Sequence, residues 1–125
     1  MRTILIIEDE APLQRLYWLI LSQFNYKVIL AGSGTEGIQT AVKEAPDLIV
    51  LDLLLPDMPG LDVARQLQLQ NILPSTPLII TTGLGQRDAK DIAQSLEASA
   101  VLVKPFNVMA LVEAIREALK VSNPK

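Results

Sequence analysis

Short runs of apolar residues alternate along this chain with longer segments whose apolar residues recur at helical spacing. Leu48 to Leu51 is a run of four apolar residues, which is typical of a strand buried on both faces. The segment from Asn107 to Lys120 carries its apolar positions on one helical stripe. These patterns predict strands at residues 3–7, 27–30, 48–51, 78–81 and 100–103, and helices at 12–24, 35–44, 61–70, 87–96 and 107–120.

Five strand–helix units in succession predict an α/β sandwich with a parallel sheet. A length of 125 residues suits one domain, which we expect to span residues 1–125 with a core at about 3–120. Half of the residues are hydrophobic, so a chain of this length can bury a sizeable core.

The composition removes several classes of chemistry. The chain has no cysteine and no histidine, which excludes thiolate catalysis, serine–histidine hydrolases, phospho-histidine donors and metal sites with sulfur or imidazole ligands. Any bound metal must therefore use oxygen ligands, which suit a hard cation such as Mg²⁺. The net charge of −3 argues against direct binding of nucleic acid. There is no signal-peptide layout and no apolar run near the roughly 20 residues that span a bilayer, so we expect a cytoplasmic protein without a membrane partner.

Chemically useful side chains follow four of the five predicted strands. Glu8 and Asp9 follow the first strand, Asp52 the third, Thr82 the fourth and Lys104 the fifth. The second strand contributes none, as expected for an outer strand. Because the carboxyl ends of parallel strands share one edge of a sheet, these groups are expected to converge in one pocket. Each group alone is typical of a cap, a turn or a solvated strand end, whereas the set together indicates a site.

Such a pocket favours acyl-phosphate chemistry. Two carboxylates about 4 Å apart repel by roughly 4 kcal/mol at an effective dielectric of about 20, and a bound Mg²⁺ or Mn²⁺ removes that repulsion. A carboxylate can act as the nucleophile in phosphoryl transfer. The metal, Lys104 and Thr82 can then offset the charge that spreads over the transferring oxygens.

With these residues in place, the sequence resembles the receiver domains of two-component response regulators. The resemblance runs from Ile4 to about Lys120 and rests on the pair Glu8-Asp9, on DLLLPDMPG at 52–60, on PLIITTG at 77–83 and on KPF at 104–106. It implies a flavodoxin-like (βα)5 three-layer sandwich whose parallel strands run in the order 2-1-3-4-5. It also implies a signalling switch that catalyses only its own phosphotransfer and slow self-dephosphorylation, rather than a turnover enzyme.

The resemblance gives each pocket residue an expected role. Asp52 is the expected phosphoacceptor. Asp9 is expected to bind the metal directly and Glu8 through water, and the backbone carbonyl of Leu54 completes the protein's share of the coordination sphere. Lys104 is expected to pair with the acid and with the phosphoryl oxygens.

Three further positions belong to the implied switch. Thr82 matches the hydroxyl that moves to hold the phosphoryl group. A cis peptide is expected between Lys104 and Pro105. Val101 stands where the family usually carries a Tyr or Phe that swings inward behind the hydroxyl, so the usual coupling must be altered. The fourth helix and the loop before it are then a candidate output surface.

The implied phosphoryl donor is a sensor histidine kinase or a histidine phosphotransfer protein, and the downstream partner is a protein that the sequence does not identify. Two alternatives compete. A phosphatase of the dehalogenase type needs a second Asp two residues after the nucleophile, where this chain has Leu54. A pseudo-receiver, an interaction module that phosphorylation does not regulate, is favoured by the missing aromatic. The intact Asp9, Asp52, Thr82 and Lys104 count against it.

Two apolar residues are expected at the rim of the pocket. Leu54 lies two positions after Asp52, and Leu84 lies two positions after Thr82. Both should flank the phosphoryl group and hinder an attacking water molecule. This predicts slow self-dephosphorylation, with a phosphorylated state that lasts well beyond minutes.

The first helix offers a candidate partner contact. Its predicted core stripe consists of Leu13, Tyr17, Ile20 and Phe24, and Trp18 falls off this stripe. An exposed Trp near the pocket is a candidate contact for the phospho-histidine donor, although sideways packing against the protein is an equally ordinary use of such a residue.

Overall fold

The structure is a computed structural model that describes residues 1–122, and its strands and helices alternate along the chain. The bounds lie within two residues of those that the sequence predicts. No helix in this part of the chain is long and apolar enough to cross a membrane. The elements are β1 (Thr3–Ile7), α1 (Ala11–Gln23), β2 (Lys27–Ala31), α2 (Gly34–Glu44), β3 (Leu48–Asp52), α3 (Gly60–Leu69), β4 (Leu78–Thr82), α4 (Gln86–Ser95), β5 (Ala100–Val103) and α5 (Val108–Ser122).

The strands form one parallel sheet in the order β2-β1-β3-β4-β5. This confirms the predicted α/β class and the flavodoxin-like strand order. The register aligns the carboxyl ends of the inner strands, because Asp52 lies opposite Thr81 and Thr82 lies opposite Val103. The second strand is an edge strand, which explains why its end contributes no candidate site residue.

Helices cover both faces of the sheet, so the sandwich has three layers, with the sheet between two layers of helices. Because side chains alternate along a strand, Ile4 and Ile6 pack with α1 and α5, whereas Leu5 and Ile7 pack with α2, α3 and α4. All five residues of β3 are buried, as predicted for a strand covered on both faces. A ligand can therefore reach the strands at their ends, because their faces are covered by helices.

The structure corrects the core stripe predicted for α1. Tyr17 is buried as predicted, but Phe24 is 37% exposed and Leu21 is fully buried in its place. The helix ends at Gln23, and Asn25 adopts a φ of 66°, so the chain turns away before Phe24 can extend the stripe.

Candidate functional site

Two buried acids share one ammonium group at the carboxyl edge of the sheet. The Lys104 Nζ lies 2.9 Å from Glu8 Oε1 and 3.0 Å from Asp52 Oδ2. Glu8 and Asp52 are 1% and 3% exposed, so both carboxylates have lost most of their contact with water. Burying a carboxylate is costly unless a cation and hydrogen bonds compensate. The Lys104 ammonium is therefore essential to holding the two acids together.

The end of a strand places each member of this cluster. Glu8 directly follows β1, and its amide extends the backbone ladder to β2 at 3.0 Å. Asp52 is the last residue of β3. Lys104 directly follows β5, and its amide donates a hydrogen bond to the Thr82 carbonyl of β4 at 2.7 Å. The peptide between Lys104 and Pro105 is cis, as the family resemblance implies.

A third carboxylate approaches the same point from the surface. One carboxylate oxygen each of Glu8, Asp9 and Asp52 lies within 4.8 Å of the other two, and Asp9 is exposed. Three carboxylates beside one ammonium leave excess negative charge, which a divalent cation would offset. Because the donors are all oxygens, the residues present fit Mg²⁺ or Mn²⁺.

The loop that follows Asp52 forms a wall of the cleft above these acids. Asp9 and residues 53–59 line this cleft, whose volume is about 540 Å³. The Leu54 amide donates a hydrogen bond to Asp52 Oδ1 at 3.0 Å and so orients the carboxylate. The Leu54 side chain is 57% exposed beside it.

The protonation of the cluster follows from its burial. Burial raises the pKa of Glu8 above its usual range, although hydrogen bonds from the Glu10 amide and from Lys104 oppose the rise. Burial also acts to lower the pKa of Lys104, but the hydrogen bonds to Glu8 and Asp52, with the attraction of their charges, raise it overall. Lys104 is therefore charged at physiological pH, and a further cation beside Glu8 would favour its ionised form.

The two residues expected to take part in the switch, Thr82 and Val101, are engaged in ordinary hydrogen bonding and packing. Thr82 is fully buried at the end of β4, and its hydroxyl accepts a hydrogen bond from the Leu84 amide at 3.1 Å. The hydroxyl is thus bonded to the β4–α4 loop, residues 83–85. Val101 pairs with Ile80 in the sheet and packs, half-buried, against the apolar cluster beneath α4.

Sequence reasoning missed three residues near the cleft. Glu10 Oε2 lies 3.7 Å from Lys104 Nζ. Glu10 is the third of three consecutive acidic residues, and this run could have indicated that it lies near the site. Gln14 donates its side-chain amide to the Glu8 carbonyl. Asp57 accepts hydrogen bonds from the first turn of α2, 22 and 23 positions earlier, and no sequence spacing points to such a contact.

An apolar groove of about 320 Å³ runs beside Lys104, between α1 and the start of α5. Leu16 lies on its rim and is 40% exposed, and the rings of Tyr17 and Phe106 stack within it at a centroid distance of 6.3 Å. Trp18 is 49% exposed, so it does lie off the core. At two positions from Leu16, however, Trp18 is rotated about 200° around the helix and lies outside the groove.

Comparison with known proteins gives a consistent answer. A family model described as the response regulator receiver domain matches residues 4–116. The chain is 36% identical over 120 residues to the response regulator ArlR of Staphylococcus epidermidis, covering 96% of this chain and 53% of that protein. It is 31% identical over 123 residues to the phosphate regulon transcriptional regulatory protein PhoB of Pseudomonas aeruginosa, covering 98% of this chain and 54% of that protein. The chain thus spans about half the length of the curated relatives it matches.

Solved structures agree with these relatives. A CheY-like response regulator receiver domain protein from Methanospirillum hungatei superposes with a TM-score of 0.89 at 27% identity, covering 99% of this chain and 98% of that one. The match extends through β1, β3, β4 and β5, whose ends carry the acids, the hydroxyl and the ammonium described above. The chain therefore belongs to the response regulator receiver domains of two-component signalling.

Proposed function

We propose that Asp52 accepts a phosphoryl group in a reaction that depends on Mg²⁺, and that the resulting acyl phosphate switches a protein-interaction surface. The observation that carries this proposal is the joint placement of Asp52, Glu8 and Lys104 within hydrogen-bonding distance, with Asp9 beside them. A purely structural ion pair needs one acid for one ammonium. The surplus of acids in this cluster supports a site built to receive a further cation.

The Asp52 carboxylate is placed to act as the nucleophile. One carboxylate oxygen of Asp52 attacks the phosphorus of a phospho-histidine. The P–N bond breaks, and the electron pair of that bond returns to the imidazole ring of the donor. The Leu54 amide, bonded to Asp52 Oδ1, limits rotation of the carboxylate and so keeps it in one orientation. Asp9 and Asp52, the Leu54 carbonyl and, through water, Glu8 would hold Mg²⁺. The bound ion would offset charge on the phosphoryl oxygens.

Lys104 supplies fixed positive charge to the same oxygens. Its Nζ already lies 3.0 Å from Asp52, so it can transfer a hydrogen bond from the carboxylate to an incoming phosphoryl oxygen without a large movement. Its raised pKa keeps the group protonated while charge develops. In this proposal, Glu8 retains its own hydrogen bond to Lys104 and anchors the ammonium throughout.

Thr82 and the 83–85 loop form the proposed moving part. In this proposal the hydroxyl turns from the Leu84 amide to donate to a phosphoryl oxygen on Asp52, and the freed amide shifts the loop before α4. Because Val101 is a small core residue, no aromatic ring can follow the hydroxyl inward. The proposed output is therefore carried by α4 and its preceding loop.

The proposed donor is a sensor histidine kinase or a histidine phosphotransfer protein, since response regulators are phosphorylated by histidine kinases. A donor that delivers its phosphoryl group to Asp52 must cover the mouth of the cleft. The groove lined by Leu16 and Phe106 adjoins Lys104 and offers an apolar seat for a donor helix. Trp18, on the other flank of α1, is a second candidate contact.

The experiment that tests the proposed function is intact mass spectrometry after incubation with acetyl phosphate. The native chain should gain one phosphoryl group when Mg²⁺ is present and none when EDTA replaces it. Asp52→Ala should gain none in either buffer. A folded native chain that stays unmodified with Mg²⁺ would refute the proposal and favour an interaction module that phosphorylation does not regulate.

A second experiment separates the two candidate donor contacts. Leu16→Ala and Trp18→Ala are compared for phosphoryl transfer from a panel of phosphorylated histidine phosphotransfer domains, with acetyl phosphate as the donor that needs no docking. Leu16→Ala should slow transfer from the protein donor alone. Equal protein-donor rates in the native chain and Leu16→Ala would exclude the groove as the docking surface.

A further inference from the structure

Asp57 ties the loop that follows Asp52 to the start of a neighbouring helix. Its Oδ1 accepts a hydrogen bond from the Gly34 amide at 2.8 Å, and its Oδ2 accepts from both the amide and the hydroxyl of Thr35 at 2.9 Å. The Thr35 and Gly34 amides, with the Thr35 hydroxyl, lower the pKa of Asp57 to about 2. The carboxylate is therefore ionised at neutral pH and faces the positive end of the α2 dipole.

Helix α2 has a cap of its own. Ser33 is the N-cap residue, and its side chain accepts a hydrogen bond from the Glu36 amide at 3.1 Å. Asp57 instead reaches the two amides that precede Glu36 from another part of the chain. The Thr35 amide is exposed and water could satisfy it, whereas the amide of the buried Gly34 relies on Asp57. The contact therefore fixes the loop that carries Asp57 as well as the first turn of the helix.

The loop is already fixed at both of its ends. At one end the Leu54 amide is bonded to Asp52, and at the other the Gly60 amide donates to the Leu53 carbonyl at 2.8 Å. Asp57 lies between these ends, where prolines remove backbone donors on either side of the Asp57–Met58 pair. The three hydrogen bonds of Asp57 thus form a polar tie at the middle of the loop, beside the packing of Met58 over Gly34.

We propose that Asp57 is a positioning residue for the metal site: by holding the 53–59 loop against α2, it sets the wall of the cleft that includes Leu54. The inference rests on the proposed function, in which the Leu54 carbonyl is a metal ligand. Without this tie, the middle of the loop gains freedom that metal binding must remove, and that entropic cost weakens binding. Outer residues that orient metal ligands typically affect affinity by about 10- to 100-fold. We expect the lower end, about tenfold, because Asp57 is exposed.

The test measures Mg²⁺ affinity by titration calorimetry on the unphosphorylated full chain, together with amide hydrogen exchange of residues 53–59 without metal. Asp57→Ala removes all three hydrogen bonds, Asp57→Asn keeps an acceptor oxygen, and Thr35→Val removes only the hydroxyl donor. Asp62→Asn is the matched control, since it removes one nearby negative charge, which lies in the first turn of α3 and pairs with Arg65 at 3.9 Å on the exposed surface. Urea denaturation of every variant reports the loss of stability separately.

The expected result is graded. Asp57→Ala should weaken Mg²⁺ binding about tenfold and speed hydrogen exchange within residues 53–59. The Mg²⁺ affinities and exchange rates of Asp57→Asn and Thr35→Val should fall between those of Asp57→Ala and the native chain. Asp62→Asn should match the native chain in both measurements. Equal affinity in Asp57→Ala and the native chain would overturn the inference, and so would an equal loss in Asp62→Asn. If Asp57→Ala does not fold, Asp57→Asn and Thr35→Val decide on the same criteria. A native chain that binds no Mg²⁺ would refute the proposed function, and unchanged exchange in residues 53–59 would then refute the tie separately.

Discussion

The two loops that border the site are built in opposite ways. The 53–59 loop is held by the Leu54 amide at Asp52, by Asp57 at the first turn of α2 and by the close approach of Gly60 to Leu53. It also closes on itself through an isolated bridge between Leu54 and residue 59. This loop is fixed before any ligand arrives.

The 83–85 loop on the other side of the cleft has far less to hold it. It contains Gly83 and Gly85, and Gly85 is the N-cap residue of α4, where it offers no side-chain hydrogen bond. Its bond to the site is the one from the Leu84 amide to the Thr82 hydroxyl, the group that the proposed reaction redirects. The contrast fits the proposed function, because groups that stabilise developing charge must be positioned in advance, whereas a switch needs a segment with two accessible arrangements.

Replacing Gly60 should cause the largest loss and so test the fixed loop. A Cβ at this position would lie 2.5 Å from the Leu53 Cα and 2.8 Å from the Asp52 carbonyl oxygen, and backbone atoms cannot move aside easily. We expect Gly60→Ala to lower the free energy of unfolding by about 3 kcal/mol in urea denaturation.

Gly85→Ala is the matched control in the loose loop. Nothing lies within 4 Å of a Cβ there, and the φ of −61° and ψ of 157° suit alanine. Alanine restricts the unfolded chain but is a poorer N-cap than glycine, so the free energy of unfolding should stay within about 0.5 kcal/mol of the native value. Equal losses in Gly60→Ala and Gly85→Ala would contradict the contrast between the loops.

Lys104→Met should slow phosphorylation by acetyl phosphate by about 100-fold, because it removes the preorganised charge beside the reacting oxygens. The variant leaves the carboxylates of Glu8 and Asp52 without their shared ammonium, so its stability in metal-free buffer should also fall. Initial rates by intact mass measure the effect, and Lys90→Met, at an exposed position of α4, is the control. A Lys104→Met rate within a few-fold of the native one would show that this charge is dispensable.

Leu54→Asn should shorten the lifetime of the phosphorylated chain by several-fold. Leu54 is 57% exposed at the cleft, and in the proposed function its side chain hinders the approach of water to the phosphoryl group. The native chain should stay phosphorylated well beyond minutes after the donor is removed, as followed by intact mass. Leu69→Asn, which changes a more exposed leucine of α3, should leave the lifetime unchanged. A native half-life of seconds would contradict the shielding.

The smallest expected effect is a pH dependence in the Asp57 tie. The folded-state pKa of Asp57 is lowered to about 2 from an ordinary value of 3.8, so its contribution to stability is present above pH 3.8 and is lost as the pH falls toward 2. The native chain should therefore be more stable than Asp57→Asn at pH 6, and the gap should narrow below pH 4. A constant gap from pH 6 to pH 2.5 would show that the charge of Asp57 does not contribute.

The sequence predicted the parts of the molecule in which local pattern and final environment agree. Leu48 to Leu51 reads as a doubly buried strand because it is one, and the site residues at strand ends converge because a parallel sheet brings those ends together. The structure brings Asp9 and Asp52 together, and their roles stay predictions that the experiments above test.

What the sequence did not predict depends on contacts between distant segments or on where a helix ends. The tie from Asp57 joins residues more than 20 positions apart and uses backbone amides, which carry no mark in the sequence. Leu21 replaced Phe24 in the core because α1 ends at Gln23, one residue before the last member of its predicted apolar stripe. The groove beside Lys104 brings Leu16 together with residues almost 90 positions later in the chain. Helical spacing within α1 could not show that groove, and it therefore pointed to Trp18 as the candidate donor contact.

The most direct test of the central claim is the identity of the phosphorylated residue. Borohydride reduces an acyl phosphate to an alcohol, so an aspartyl phosphate becomes homoserine and can be located by peptide mass spectrometry. After incubation with acetyl phosphate and Mg²⁺, we predict homoserine at position 52 and its absence when EDTA is present. Homoserine at another aspartate such as Asp9 or Asp57, or a phosphorylated chain that yields none, would contradict the assignment of Asp52 as the phosphoacceptor.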